Sequence, residues 1–201
     1  MQIGAVAALL RELGLPETCL SRLLAHAHAV SEQADRLGLV SSDDAGVVLA
    51  RHSADSLLFA LAREPEPDER WVDVGSGAGF PGVPLACCYP ETSFTLIEPQ
   101  QRRAGFLELQ RDRLGLENVQ VEPVRAAAVT PRFDVATARA LAEPALALEA
   151  LLRLVEPSGT ALLAIGSGAV VPHGAIELDV SRPLVDSPGR LLMISHVQGT
   201  A

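Results

Sequence analysis

The chain contains no lysine: all 16 of its basic residues are arginine, set against 25 acidic ones for a net charge of −9 over 201 residues. A nucleic-acid binder draws much of its affinity from phosphate contacts and normally carries a basic field. The composition has none, so a phosphate-bearing partner would have to be met by arginines segregated onto one face. Long apolar runs are missing too. No uninterrupted stretch reaches the ~18 to 20 apolar residues of a membrane span, and the N-terminus lacks the basic start, apolar run and small-residue cleavage site of a secretory leader. Cysteine is scarce and odd in number: Cys19, Cys87 and Cys88, two of them adjacent, make no disulfide framework. A reduced, cytoplasmic protein with no membrane contact is expected. His26 and His28 lie two apart on a helical pattern and cannot share a face. With no Cys or acid at ligand spacing beside them, no metal site is expected.

What is present is ordinary globular composition, 48% hydrophobic and 20% charged, in a length that suits one domain rather than two. Residues 1–62 read as a helical segment. Val6, Leu9, Leu10 and Leu13 fall at helical spacing, and Gly14 with Pro16 ends that helix. Leu20, Leu23, Leu24, Ala27 and Val30 continue the period in a second. After the polar stretch 41–44, a third carries Val47, Val48, His52, Asp55, Leu58 and Phe59. A charged, proline-punctuated linker follows at 63–69. The period then changes. Trp71–Val74, Phe94–Ile97, Val119–Val121, Phe133–Ala136 and Ala161–Ile165 are short apolar strands, with helical patterns over 82–89, 100–114 and 143–154. Ile176–Val180 and Leu191–His196 read as closing strands, the last antiparallel. Strands alternating with helices predict an α/β fold, a doubly wound, mostly parallel sheet covered on both faces, within a single domain 1–201 whose core spans 70–201.

The informative stretch is Asp73-Val-Gly75-Ser-Gly77-Ala-Gly79-Phe80-Pro-Gly82, which leaves a strand and enters a helix at the ligand-binding edge of such a sheet. Two readings compete. Gly77-x-Gly79-x-x-Gly82 matches the dinucleotide fingerprint, with Glu98 where the ribose-binding acid should fall. Asp73-x-Gly75-x-Gly77-x-Gly79 is instead the pattern of the S-adenosylmethionine fold. Position favours the second: the turn begins at Gly75, so Gly82 already lies inside the helix rather than under a pyrophosphate. The sulfonium and ammonium of S-adenosylmethionine also make the Asp73 carboxylate a sensible neighbour, and Glu98 can accept both ribose hydroxyls.

The run from Asp73 to Leu85, above all its Phe-Pro-Gly-Val-Pro tail, resembles the RsmG/GidB family of small-subunit ribosomal RNA guanine-N7 methyltransferases. Residues 51–56, Glu98 to Leu107 and Phe133 to Ala140 resemble it as well, so the similarity covers most of 45–165. The resemblance implies a Rossmann-like class I methyltransferase acting on 16S ribosomal RNA, free or in the small ribosomal subunit. It implies a donor site at Gly75, Gly77, Phe80, Glu98, the backbone of Ala126 and Ala127, and Arg139. Departures fall elsewhere. Gly38-Leu-Val40 replaces an Asn-Leu-Thr-like motif, Asp43 stands where a base is usual, and Ala127 replaces an acid. Ile165-Gly166 replaces Lys-Gly, and Arg102 stands for a Lys. They cluster on the RNA side and leave the donor loop intact. The −9 charge keeps two other readings open: a donor-binding relative that has lost methylation, or a methyltransferase with a small-molecule acceptor.

Guanine N7 attacks with an in-plane lone pair and needs no general base, so positioning and electrostatics carry the reaction. Thr137-Ala-Arg139-Ala after the fourth strand is not the Asn/Asp-Pro-Pro-aromatic motif of adenine-N6 or cytosine-N4 enzymes. Cys87 and Cys88, in the helix after the loop, are misplaced for a cytosine-C5 nucleophile and read as packing. Arg139 is the candidate catalytic residue. His52 and Asp55, three apart on one face, read as a pair bracing a helix against the sheet. Arg102, Arg103, Arg111 and Arg113 make the candidate basic face, with Arg102, Arg103 and Arg125 assigned to substrate.

Overall fold

The computed structural model describes residues 2–38, 44–139, 143–182 and 189–195. The departures at 39, 40 and 43, together with Ala140 and His196, lie outside these residues. Helix α1 spans Gln2–Glu12 and α2 Cys19–Leu37. Buried Leu23, His26, Ala27, Val30 and Ala34 form the inward stripe of α2. Gly38 closes it in the left-handed conformation, donating its N–H to Ala34 O. The third helical pattern is one run in three parts: α3 (Ala45–Val48), a π turn (Leu49–Ser53) and α4 (Ala54–Ala62). Asp44 caps it, its carboxylate accepting from Val47 N at 2.9 Å. The run Ala45–Ala62 is long and apolar enough to cross a membrane, but half of it is buried against the protein. Arg51, His52 and Asp55 interrupt its apolar sequence.

The sheet then begins. Its elements are β1 (Arg70–Val74), α5 (Gly82–Cys88), β2 (Ser93–Ile97), α6 (Gln101–Leu114), β3 (Val119–Glu122), β4 (Phe133–Arg139), α7 (Pro144–Leu152), β5 (Val155–Ala164), β6 (Ile176–Asp179) and β7 (Arg190–Ser195). Strand order is β3-β2-β1-β4-β5-β7-β6. β1 to β5 are mutually parallel, and β7 inserts antiparallel to both β5 and β6. The chain reverses its direction of travel across the sheet between β1 and β4, which makes the crevice above them the switch point where ligands bind in such sheets.

Two strands are longer than their sequence signals. β4 runs on through Thr137 to Arg139, because Thr137 buries its hydroxyl by donating to Val72 O at 3.2 Å. β5 begins six residues early, at Val155. Its register with β4 jumps from Phe133↔Val155 to Val135↔Thr160, so the turn-like Glu156-Pro-Ser-Gly159 is absorbed as a bulge.

Cover on the two faces is unequal. One hydrophobic cluster joins α1, α2, α4, α5 and α6 to the sheet, while the other face packs mainly on α7. The connection from β3 to β4 contains only a 3₁₀ turn, Ala126–Ala128. Beneath it Ser93, Thr95, Gln120 and Glu122 line an open groove together with Val124, Val129 and Phe133. These polar residues alternate with buried ones, so this end of the sheet needs no helix on its second face.

Arg103 is expected from the sequence to face substrate. In the structure its Nε donates to Leu37 O at 3.1 Å and its Nη2 to Gly38 O at 2.8 Å. Helix α2 ends with unpaired carbonyls, and a cation from α6 satisfies them. Arg103→Ala is therefore expected to lower unfolding free energy by about 1 to 2 kcal/mol in urea titrations; an unchanged midpoint would show that these bonds add nothing.

Candidate functional site

The turn after β1 is built by backbone bonds from two directions. Gly75 N and Ser76 N both donate to Ile97 O, at 2.9 and 3.1 Å, while Gly79 N and Phe80 N donate to Ser76 O, at 2.7 and 3.1 Å. Gly75, Gly77 and Gly79 take φ of 73°, 56° and 98°. These left-handed values strain any side-chain-bearing residue. Two of the positions differ in their surroundings. A Cβ on Gly79 would lie 2.6 Å from Val83 Cγ2, whereas one on Gly77 would meet only Gly75 O at 3.8 Å. Gly79 is pressed into the protein, and Gly77 forms the open lip.

Two acids hold this turn. Asp73 is 1% exposed, and its Oδ2 accepts from Gly82 N at 3.0 Å. Gly82 is the first residue of α5, as the position of the turn implies. Oδ1 of Asp73 is buried with no hydrogen-bond partner among the described residues. Burial pushes the carboxyl up to about 7, against the bonds from Gly82 and Ser76 that hold it down. Asp73 thus ties the turn to the first residue of α5 and is closed off from solvent. Glu98, at the end of β2, is 3% exposed. Its Oε2 accepts from Gly77 N at 3.0 Å and its Oε1 from Gln100 N at 2.8 Å, tying the lip to the start of α6. Each oxygen keeps a further lone-pair direction.

Phe80 is the pivot of the neighbouring cluster. His26 and His52 pack against its ring at centroid distances of 5.0 and 5.4 Å, and the Arg139 guanidinium lies 5.6 Å from its centroid. Arg139, the last residue of β4, reaches Asp55 Oδ2 at 3.0 Å through Nη1 and His52 Nδ1 at 2.9 Å through Nη2. It also donates to His52 O at 3.3 Å. The π turn supplies His52 and α4 supplies Asp55, so this pair does brace a helix against the sheet, with Arg139 as the clasp. Because Arg139 only donates, His52 Nδ1 is an acceptor and the ring is the neutral Nε2–H form. Burial and the charges of Arg139 and Arg51 hold its pKa down to about 4.

His26, which the sequence reading weighed only as a metal ligand, reaches the glycine turn. It is fully buried on α2, and its Nε2 donates to Ala78 O of the glycine turn at 2.8 Å. Burial lowers its pKa to about 4. The one available signal was its place on the apolar stripe between Leu23 and Val30.

The remaining expected residues divide. Ala126 is half-buried and Ala127 exposed, in the turn following β3 on the same edge of the sheet. Arg102 and Arg125 are exposed, with no ion pair or hydrogen bond among the described residues. Arg139, Asp55, Leu58, Ile165, Arg190 and Leu191 line a cavity of about 170 Å³ at the carboxyl ends of β4 and β5.

Known proteins match this arrangement. The model of the GidB family, rRNA small subunit methyltransferase G, matches residues 20–172. The chain belongs to the rRNA small subunit methyltransferase G family. A member named ribosomal RNA small subunit methyltransferase G from Roseiflexus castenholzii is 40% identical over 73% of this chain and 62% of its own length. The Lacticaseibacillus paracasei protein of the same name is 33% identical over 86% of this chain and 80% of its own. The chain thus spans less than two thirds of the Roseiflexus member. Among solved structures, MtNAS in complex with MTA and tNA superposes with a TM-score of 0.59 at 17% identity, over 83% of this chain and 69% of its own. An rRNA methylase from Streptococcus thermophilus gives 0.51 at 17% identity, over 70% and 94%. Both are similar to this chain in fold alone, a Rossmann-like α/β sheet.

Two outcomes are expected from the buried groups. In ¹⁵N NMR, His26 and His52 should keep the neutral Nε2–H pattern from pH 8 down to about 5; a ring charging near pH 6.5 would contradict the packing.

Asp73 acts in the opposite sense. Its folded pKa is raised, so between about pH 4 and 7 the native state holds the proton more tightly than the unfolded chain, and stability falls as pH rises through that window. Measured by urea titration, Asp73→Asn should gain on the parent from pH 4 to pH 7; parallel curves would show that Asp73 is not held protonated.

Proposed function

We propose that the protein is an S-adenosylmethionine-dependent methyltransferase that modifies guanine N7 in 16S ribosomal RNA. It works in the cytoplasm with its thiols reduced, the helical segment and the α/β core acting as one domain. The observation that carries the reading is the open lip at Gly77 with the Glu98 carboxylate tied to its N–H. The unfilled space over Gly77 and the spare lone pairs of Glu98 fit the donor's ribose. When bound, S-adenosylmethionine supplies a methyl group on a positively charged sulfonium. Glu98 accepts the ribose hydroxyls, the backbone of Ala126 and Ala127 borders the adenine, and Asp73 holds the turn in shape through Gly82 N.

On the acceptor side the chain's task is placement. Arg139 has five N–H donors, and its three contacts to Asp55 and His52 leave others for the O6 edge of a guanine. The cavity it lines is about 170 Å³, below the ~300 Å³ at which pockets for whole drug-sized ligands begin. That size suits a single inserted base. His52 is neutral and engaged, which is compatible with a reaction that takes no proton from its nucleophile. Arg125, exposed beside the 3₁₀ turn, is placed to meet phosphate.

Calorimetry with S-adenosylhomocysteine should show binding to the parent, and Glu98→Ala should lose about 1.5 to 3 kcal/mol of it. NAD should not bind. Labelled methyl groups should appear as 7-methylguanosine in naked 16S RNA or intact small subunits. Tighter binding of NAD would overturn the donor, and label confined to a metabolite extract would overturn the acceptor.

A further inference from the structure

The −9 charge makes it informative where the arginines go. Ten of the 16 are tied into ion pairs or hydrogen bonds: Arg103 caps α2, Arg139 clasps His52 and Asp55, Arg132 holds the carbonyls of Arg153 and Val155, and seven others pair with acids. Six make no such bond among the described residues: Arg22, Arg36, Arg51, Arg102, Arg113 and Arg125. Three of these six, Arg36, Arg102 and Arg113, line a single groove.

That groove, of about 640 Å³, runs between α2 and α6. Its floor is Ala29, Phe106 and Gln110, and its walls carry the three exposed guanidiniums with Gln33 and one carboxylate, Glu32. The groove is open and polar, unlike the closed apolar pocket a metabolite needs. Three cations against one anion leave an excess of positive charge among the described residues that line it. Its position ties it to the donor site. Arg102 lies four residues after Glu98, while Arg113 is eleven residues further along α6, roughly 16 Å at 1.5 Å per residue. A stacked strand advances about 3.4 Å per nucleotide, so this length suits roughly five nucleotides. The two helices are fixed relative to one another by Arg103, and α2 is fixed to the glycine turn by His26.

We infer that the groove between α2 and α6 is the track for the phosphate backbone of the RNA strand flanking the target base, with Arg36, Arg102 and Arg113 as its phosphate contacts. This rests on the RNA reading of the acceptor and adds a contact surface, contributed by α2 as much as by α6, that is distinct from the donor turn. It replaces Arg103, which is committed to α2, with Arg36. A groove that contacts phosphates alone positions the strand and leaves base choice to the cavity at Arg139.

The test is binding of a small-subunit RNA transcript by fluorescence anisotropy across a salt series, with S-adenosylhomocysteine affinity measured in parallel. The parent should bind with steep salt dependence. Arg36→Ala with Arg113→Ala should weaken binding on the order of twentyfold in 0.1 M salt and reduce the log–log slope by about 1.4, from ~0.7 per single-strand phosphate. Donor affinity should not change, which shows that the variant is folded. Arg11→Ala with Arg153→Ala removes the same charge from residues that do not line the groove and should leave the slope as it was. If the parent binds and the groove variant matches it in affinity and slope, the track is wrong while the RNA reading stands. An equal loss in both double variants would assign the effect to net charge and also overturn the track. If the parent binds no RNA at low salt, both fall.

Discussion

Two buried carboxylates hold the turn on which the rest of the site depends. Asp73 fastens the turn to α5 through Gly82 N, and Glu98 fastens its lip to α6 through Gly77 N and Gln100 N. A buried carboxyl oxygen accepting a backbone N–H fixes the backbone where left-handed glycines would otherwise leave it free. With the turn in place, Phe80 presents its ring to both histidines and to Arg139. One covalent neighbourhood thereby sets the glycine turn and the Arg139 clasp together.

The helical N-terminal segment belongs to this machinery. His26 bonds the turn from α2, the π turn aims His52 at Arg139, and Arg103 closes the end of α2 against α6. A π turn shifts the phase of the helix that contains it, and such insertions recur at functional sites. Here the helix that carries His52 and Asp55 must satisfy β4 on one side and the apolar core on the other. The same contacts explain why a long apolar run, Ala45–Ala62, is half-buried against the core.

The arginines show why net charge is a poor guide to a surface. Most of them answer a specific carbonyl or carboxylate, so much of their charge is already engaged within the protein. What remains is concentrated on a few elements. A chain at −9 can therefore still present a local cationic track, because electrostatic contact with phosphate is decided within about a Debye length of ~10 Å at 0.1 M salt and not by the molecule's total.

The sequence by itself determined the class of fold, the glycine turn, the acid closing β2 and the strand-to-helix order, since each is encoded in residues close together along the chain. Periodicity shows which side of an element is apolar, and a glycine pattern shows where backbone must bend, without reference to distant partners. The start of β5 and the reach of β4 escaped it, because a bulge and a buried threonine depend on the neighbouring strand. Tertiary structure alone decided which arginine caps α2 and which is free, that Asp73 ties the turn to α5, and that His26 belongs to the site. The reason is separation: His26 meets Ala78 across 52 residues, Arg103 meets Leu37 across 66 and Arg139 meets His52 across 87. A side chain's role at such range is set by what the fold brings to it, and Arg102 and Arg103, adjacent and identical in sequence, acquire opposite roles because one turns toward a carbonyl and the other toward solvent.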